Sequence, residues 1–231
     1  KVTLVVGQKT PRSPECNIPV WAAELSQEEK KQAFFKYVNG VVSHYRSHPA
    51  LEWWQVENEP FIKFDFGVCD QFDLDFVAEE IALVRQLDSA HPIMVTDSGE
   101  LSSWRRAGRA GDILGTTVYR VVRMNSGNVW SYAWLPPVFY RVKAALFSRG
   151  PDKWVISELQ AEPWFKDSSP ADTPIAEQEE TMTPERLKNH LEYARHTGAS
   201  RAYLWGVEWW YWMKTKQGDA RYWDEAKVIA N

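Results

Sequence analysis

The sequence predicts a parallel α/β fold of the TIM-barrel type, incomplete, with about six β/α units where a full barrel has eight. Three observations carry this. Apolar β-branched runs alternate with amphipathic stretches along all 231 residues, the signature of a parallel sheet covered by helices. Chemically active polar residues and the long loops both follow strands, the asymmetry of a (β/α) barrel whose site lies at the C-terminal face. No Gly-rich phosphate turn follows any strand, which disfavours a doubly wound nucleotide-binding sheet. Composition does not shift along the chain, so residues 1–231 are expected to form one (β/α)-barrel domain.

The elements follow in order. Val2-Thr3-Leu4-Val5-Val6 is an uninterrupted apolar run, as in a strand buried on both faces, and Gly7 closes it. A Pro-rich loop leads to Ser26-Gln27-Glu28-Glu29, a capping-box start for a helix to about Tyr45 with Phe34, Val38, Val41 and Val42 near one face. Residues 51–57 form the next strand. A helix from Asp73 to about Leu87 carries Val77, Ile81 and Val84. Further strands are expected at 92–96, 112–119, 154–157 and 201–206. Between them fall a weak helix near 101–109, a helix near 136–148, and a helix opening at Thr183-Pro184-Glu185 with proline at its first position. A short terminal helix is expected near 223–230.

At 44% hydrophobic and 25% charged residues the chain is globular. Its net charge of −4, without any basic run, argues against nucleic acid and anionic membrane as partners. No apolar run reaches the roughly eighteen residues of a membrane helix. Aromatic residues make up 14%, including thirteen Trp, a supply that serves both as core filler and as stacking platforms for sugar faces. Cys16 and Cys69 are the only cysteines and fit no metal motif; two reduced thiols are the default expectation, with a bridge between them as the alternative. The chain starts at Lys1 without a signal-type apolar stretch. The compartment is left open, with the cytoplasm favoured. His44 and His48 stand four apart, a metal-capable spacing, but no third ligand is evident and a solvated helix face is the expectation. Ser98 lacks the flanking glycines of a nucleophile elbow.

Two stretches carry the chemistry. Trp53-Trp54-Gln55-Val56-Glu57-Asn58-Glu59-Pro60 is an apolar strand ending in carboxylates, an amide and a proline that stops the ladder. About a hundred residues on, Trp154-Val155-Ile156 delivers Glu158 to another strand end. Retaining glycoside hydrolysis needs two such carboxylates, one as acid/base and one as nucleophile roughly 5 Å away. Glu57, two residues from Glu59, is expected to support it on the same side of the strand. Glu100, Glu162 and Glu208 also follow strands, and each is as readily a solvated loop position.

Asn58-Glu59-Pro60 and Glu158, three strands apart, resemble the catalytic pair of clan A glycoside hydrolases, which include the cellulase-like family 5 and the β-galactosidase-like family 42. The resemblance implies Glu59 as acid/base and Glu158 as nucleophile. It implies Asn58 on the sugar 2-hydroxyl, Tyr119 hydrogen-bonded to the nucleophile, and Trp205 as the floor of the sugar site, with Trp209 and Trp210 as further candidates. It implies a retaining hydrolase of β-glucoside, β-glucan or β-galactoside type, needing neither cofactor nor metal. Counted against the clan, the six strands correspond to the third to eighth, so the clan's Arg near the second strand has no counterpart except Arg12 as a substitute. The missing pair of units is either a truncation or a natural six-unit barrel. Open strand edges would favour a homo-oligomer, most simply a dimer. The alternative to an enzyme is a catalytically weak or inactive incomplete barrel that binds carbohydrate.

Overall fold

The sequence pattern becomes a computed structural model that describes residues 1–12, 15–16, 18–62, 74–124, 126–165 and 169–230. Its parallel sheet has the order β1-β2-β3-β4-β7-β8, formed by Val2–Val6, Leu51–Val56, Ile93–Asp97, Ile113–Val118, Trp154–Gln160 and Ala202–Trp205. A separate antiparallel pair joins β5 (Val121–Arg123) and β6 (Val129–Ser131). Helices α1 (Gln27–Tyr45), α2 (Leu74–Leu87), α3 (Ala107–Ala110), α4 (Pro137–Phe147), α5 (Ile175–Gln178) and α6 (Pro184–Thr197) follow the strands in turn. Helices α7 (Val207–Lys216) and α8 (Arg221–Ala230) close the chain. Six parallel strands with intervening helices are an incomplete TIM-type (β/α) fold. The chain divides into two compact units, 1–115 with 147–153, and 116–146 with 154–231.

In the first unit, β1 pairs with β2 in register Thr3 to Trp53 and Val5 to Gln55, and β2 pairs with β3 in register Trp54 to Ile93. Val6, Trp54, Val56 and Val95 are fully buried, as are Val38 and Val42 of α1 and Val84 of α2. The capping box forms as expected. Ser26 accepts a bond from the Glu29 amide, and Glu29 accepts from the Ser26 amide, satisfying two otherwise orphaned donors. Phe76 of α2 packs its ring 5.1 Å from Phe34 and 5.5 Å from Phe35, locking α1 to α2. The expected start of α2 at Asp73 lies outside the described residues. Cys16 corrects an expectation. It is disulfide-bonded, and no free cysteine is present among the described residues. The chain's other cysteine, Cys69, lies outside the described residues. A cysteine pair that closes a long loop stabilises chiefly by restricting the unfolded chain, a use that spacing alone does not reveal.

In the second unit, β7 pairs with β8 (Ile156 to Ala202, Leu159 to Leu204), with an irregularity between Ile156 and Leu159. Strand β7 runs three residues beyond its expected end at Ser157. Thr183 caps α6 by accepting the Arg186 amide, with Pro184 opening the helix. Gly198 ends it in the left-handed conformation. Among the described residues no helix is long and apolar enough to cross a membrane.

Gly7 shows how tightly the first strand end is built. Its φ of +147° is open to glycine alone, and a Cβ there would lie 2.7 Å from the Glu57 carboxyl carbon. We expect Gly7→Ala to cost about 2 kcal/mol or more in unfolding free energy, from backbone strain and overlap together. Gly40, in the middle of α1, has nothing within 4 Å of the point where a Cβ would stand. Gly40→Ala should therefore stabilise by about 0.5–1 kcal/mol. Denaturant midpoints of the two variants measured side by side check both signs.

Candidate functional site

The two sequence-predicted carboxylates occupy strand ends in different units, so each cluster stands on its own. In the first unit, β2 ends at Val56 and the chain turns sharply. Glu57 has φ 58° and Glu59 has φ 44°, left-handed values that non-glycine residues adopt only where surroundings impose them. Those surroundings are hydrogen bonds. The Glu57 amide donates to the Val6 carbonyl at 2.9 Å, and the Asn58 amide to the Lys9 carbonyl at 2.9 Å. The Glu59 amide donates to the Thr96 hydroxyl oxygen at 2.8 Å. Thr96, at the end of β3, in turn donates to the Asn58 side-chain oxygen at 3.2 Å, which also accepts from Gln55 at 3.3 Å. With its oxygen occupied, Asn58 keeps its NH2 as the group available to an incoming hydroxyl.

Lys9 reaches the same corner. It is 1% exposed, with its ammonium 3.3 Å from Glu15 and 3.5 Å from the Glu59 carbonyl. Glu57 is fully buried and accepts from the Gln8 amide at 2.9 Å and the Lys9 amide at 2.6 Å. Asn58 and Glu59 are buried as well, Glu59 retaining 7% exposure. Arg12 is exposed, its amide bonded to the Thr10 carbonyl. A cleft of about 470 Å³ begins two residues past Glu59, lined by Phe61, Ile62, Asp97, Arg105 and Arg106 among others. Trp104, next in sequence to the Arg105 that lines it, has φ 64° and is held by its indole N–H donating to the Ser98 carbonyl at 2.8 Å.

In the second unit, Glu158 sits near the end of β7 with 6% exposure. The Tyr119 hydroxyl, one residue beyond the end of β4, donates to its carboxylate at 2.7 Å. Tyr119 is itself set by the Trp164 ring, edge-on at 5.1 Å. Gln160 lies two residues past Glu158, at the end of β7. It accepts from the Arg120 and Val121 amides at 3.0 and 2.9 Å and donates to the Val121 carbonyl. This clamps the segment that presents Tyr119. The Gln160 carbonyl bonds His190 Nδ1 at 2.9 Å. Burial pushes His190 down to about 4, so the ring is neutral near pH 7 and donates that bond.

Trp205, at the end of β8, is partly exposed and donates to Glu162 at 3.0 Å. Glu162 is buried, not solvated. Gly206 permits the approach. With φ +140°, a Cβ there would lie 2.8 Å from the Glu162 Cβ and 2.9 Å from the Ala161 backbone. Trp209 and Trp210 differ from expectation. Trp209 is buried, its ring 4.4 Å from Tyr222 and its N–H on Gln178 at 2.7 Å. Trp210 is buried with its N–H on the Ala161 carbonyl. Both are packing residues of α7, and of the three tryptophans Trp205 alone keeps ring surface open. Their burial follows from their separate partners, Gln178 and Tyr222 for Trp209 and the Ala161 carbonyl for Trp210. Sequence reasoning missed Thr96 and Gln160, which carry no charge. It also left Glu162 undecided. Among the described residues no group of three or more His, Cys, Asp or Glu is arranged to hold a metal.

No family model matches the sequence, and no curated protein matches it. Solved structures do resemble it. An FMN-binding β-glucuronidase from Facaelibacterium prausnitzii L2-6 aligns at TM-score 0.53 and 14% identity over 78% of this chain and 26% of that one. A GH5_18 protein from Streptomyces cattleya in complex with GlcNAc aligns at 0.53 and 8% identity, over 88% and 52%. A β-galactosidase from Bacillus circulans sp. alkalophilus aligns at 0.51 and 11% identity, over 77% and 34%. The chain thus spans from about a quarter to about half of the length of these glycoside hydrolases, and at such identities the likeness is one of fold.

Proposed function

We propose that the protein is a retaining glycoside hydrolase of the clan A type acting on a β-linked pyranoside. The observation that carries the reading is Glu158, buried at the end of β7 with the Tyr119 hydroxyl 2.7 Å from its carboxylate. The hydrogen bond to one oxygen fixes the direction in which the carboxylate faces a substrate. In the first step Glu158 attacks the anomeric carbon, the bond to the leaving oxygen breaks, and Glu59 gives that oxygen its proton. In the second, Glu59 takes a proton from water, the water oxygen bonds the anomeric carbon, and the ester to Glu158 breaks. Two carboxyls supply every proton and the nucleophile, so the chemistry calls for no cofactor.

The remaining residues support this reading by what each can still do. Asn58 has its NH2 free to donate to a sugar 2-hydroxyl, a bond that strengthens as positive charge develops at the neighbouring carbon. Trp205 offers an amphipathic ring anchored through its N–H to Glu162. The cleft past Glu59 adds room for a saccharide. The similar structures include proteins described as a β-glucuronidase and a β-galactosidase, which favours hexopyranosides and makes the uronate worth including in any panel.

The test is mass spectrometry of the intact protein after incubation with 2-deoxy-2-fluoro glycosyl fluorides of the gluco, galacto and glucurono series. These reagents form the glycosyl ester and release it slowly. A stoichiometric adduct on the peptide bearing Glu158 is expected with one of the series. A folded protein that takes up no label from any of them would transfer the assignment to a carbohydrate-binding barrel without turnover.

A further inference from the structure

Beneath the Glu59 corner lies a second carboxyl pair that the two-carboxylate mechanism does not use. Glu80 projects from α2 and Glu57 from the end of β2; both are fully buried. The two carboxyl groups lie against each other. Among the described residues, neither Glu80 oxygen has a nitrogen or hydroxyl donor. Two adjacent carboxyls withdrawn from water repel each other when both are ionised, and Glu80 has no donor to hold a charge, so at least one proton resides in the pair. The placement of that proton follows from the partners. Glu57 already accepts two backbone N–H bonds and faces the Lys9 ammonium, all of which favour its ionised form. Glu80 has nothing comparable and therefore holds the proton.

We propose that Glu80, as a neutral carboxylic acid, is a positioning residue for Glu59, acting through Glu57 and the Gln8-Lys9 turn. The connection is continuous within the first unit. The protonated Glu80 has Glu57 as its acceptor, and the Glu57 carboxylate fixes the Gln8 and Lys9 amides. The Lys9 carbonyl then receives the Asn58 amide, and the Lys9 ammonium reaches the Glu59 carbonyl. Gly7 is required because a Cβ would strike the Glu57 carboxyl. The left-handed backbone at Glu57 and Glu59 is the strained part that this bracing holds in place. The proposal rests on Glu59 as the working acid/base, and its test must separate the two ideas.

The proton makes the bracing pH-dependent. The facing groups are Lys9 with its partner Glu15, Tyr37 from α1, Glu57 and Glu80. Burial, the largest cause, pushes Glu57 up to about 7 and Glu80 well above its ordinary 4.5. Burial likewise raises Tyr37, helped by the charges of Glu80 and Glu57. Carboxyls raised in the folded state contribute stability that is complete below about pH 4.5 and is lost as pH climbs through about 7 and beyond. Stability of the first unit should therefore fall on the alkaline side.

Three proteins test this: wild type, Glu80→Gln, whose amide is a permanent donor, and Glu80→Ala, which has none. At pH 8 in D2O the wild type should show an infrared band of a protonated carboxyl that Glu80→Gln lacks. The thermal midpoint should decline between pH 6 and 9 more steeply in the wild type than in Glu80→Gln, which keeps only the Glu57 part of the decline. The alkaline limb of kcat should shift upward in Glu80→Gln, while Glu80→Ala loses on the order of 10²-fold in kcat at every pH. Carboxyl-13C glutamate labelling, with the Glu59 resonance identified by its loss in Glu59→Gln, reads position without turnover. That resonance should titrate alike in wild type and Glu80→Gln and differently in Glu80→Ala. Absence of the infrared band, or superimposable midpoint curves for wild type and Glu80→Gln, overturns the proposal. So does a Glu59 titration indifferent to Glu80→Ala. The infrared, midpoint and resonance outcomes do not depend on whether a glycoside is cleaved, which the labelling reagents decide separately.

Discussion

Glu158→Gln should lower kcat at least ~10⁴-fold on any glycoside the protein hydrolyses, while leaving the dissociation constant for that sugar within a few fold. The amide matches the carboxylate in shape and can still accept the Tyr119 hydroxyl, so the fold and the cleft should persist. What disappears is the anion that forms the ester. The smaller Glu158→Ala variant leaves room for an external nucleophile, and added azide should restore turnover with an α-glycosyl azide as product. That product reports attack from the face Glu158 formerly occupied, which a general loss of structure cannot imitate. Isothermal titration with the intact sugar, run on wild type and Glu158→Gln, separates binding from chemistry. A Glu158→Gln protein with near-wild-type rates would mean that the nucleophile lies elsewhere.

Much of the framework was legible because local signals and global fold agree. Val2–Val6, Leu51–Val56 and the Trp154-Val155-Ile156 opening of β7 are rich in strand-forming residues, and Ser26 with Glu29 announces the start of α1. The strand ends bearing Asn58, Glu59 and Glu158 were visible because carboxyls after apolar runs stand out. Where the signals conflict, the reading fails. The α7 segment, with three Trp, one Tyr and the β-branched Val207 and Thr215, has weak intrinsic helix preference and no side-chain cap at Gly206. Packing of Trp209 on Tyr222 decides it instead, a contact no local pattern encodes. Strands β5 and β6 have three residues each, too few to show alternation. Glu80 did leave a signal. It stands three after Val77 and four before Val84, both buried, so it falls on the apolar face of α2. A carboxyl in that position is either a mistake of pattern or a paired group with a purpose, and the pairing with Glu57 appears only in three dimensions. Thr96 and Gln160 left none, since neutral hydrogen-bonding residues at strand ends are common everywhere.

Glu59→Gln should produce a loss that depends on the leaving group. Gln keeps the side-chain shape at a position whose left-handed backbone already restricts substitution, and the amide bond to Thr96 is untouched. A glycoside with a poorly departing alcohol needs a proton in the first step, and kcat/KM for it should drop ~10²–10⁴-fold. A 2,4-dinitrophenyl glycoside departs unassisted, so its kcat/KM should fall less than about tenfold. Its second step still lacks a base to activate water. The glycosyl ester on Glu158 should accumulate, seen as a burst of dinitrophenolate followed by slow turnover. Azide, which needs no base, should accelerate that slow phase and yield a β-glycosyl azide, opposite in configuration to the product expected from Glu158→Ala. The pair of azide products assigns the two carboxyls independently of any structure. If Glu59→Gln instead slows both substrates equally, without a burst, then Glu59 holds the sugar or the backbone and the proton comes from another group. Glu57 would be the first to test, since it stands two residues away and is braced by the same turn.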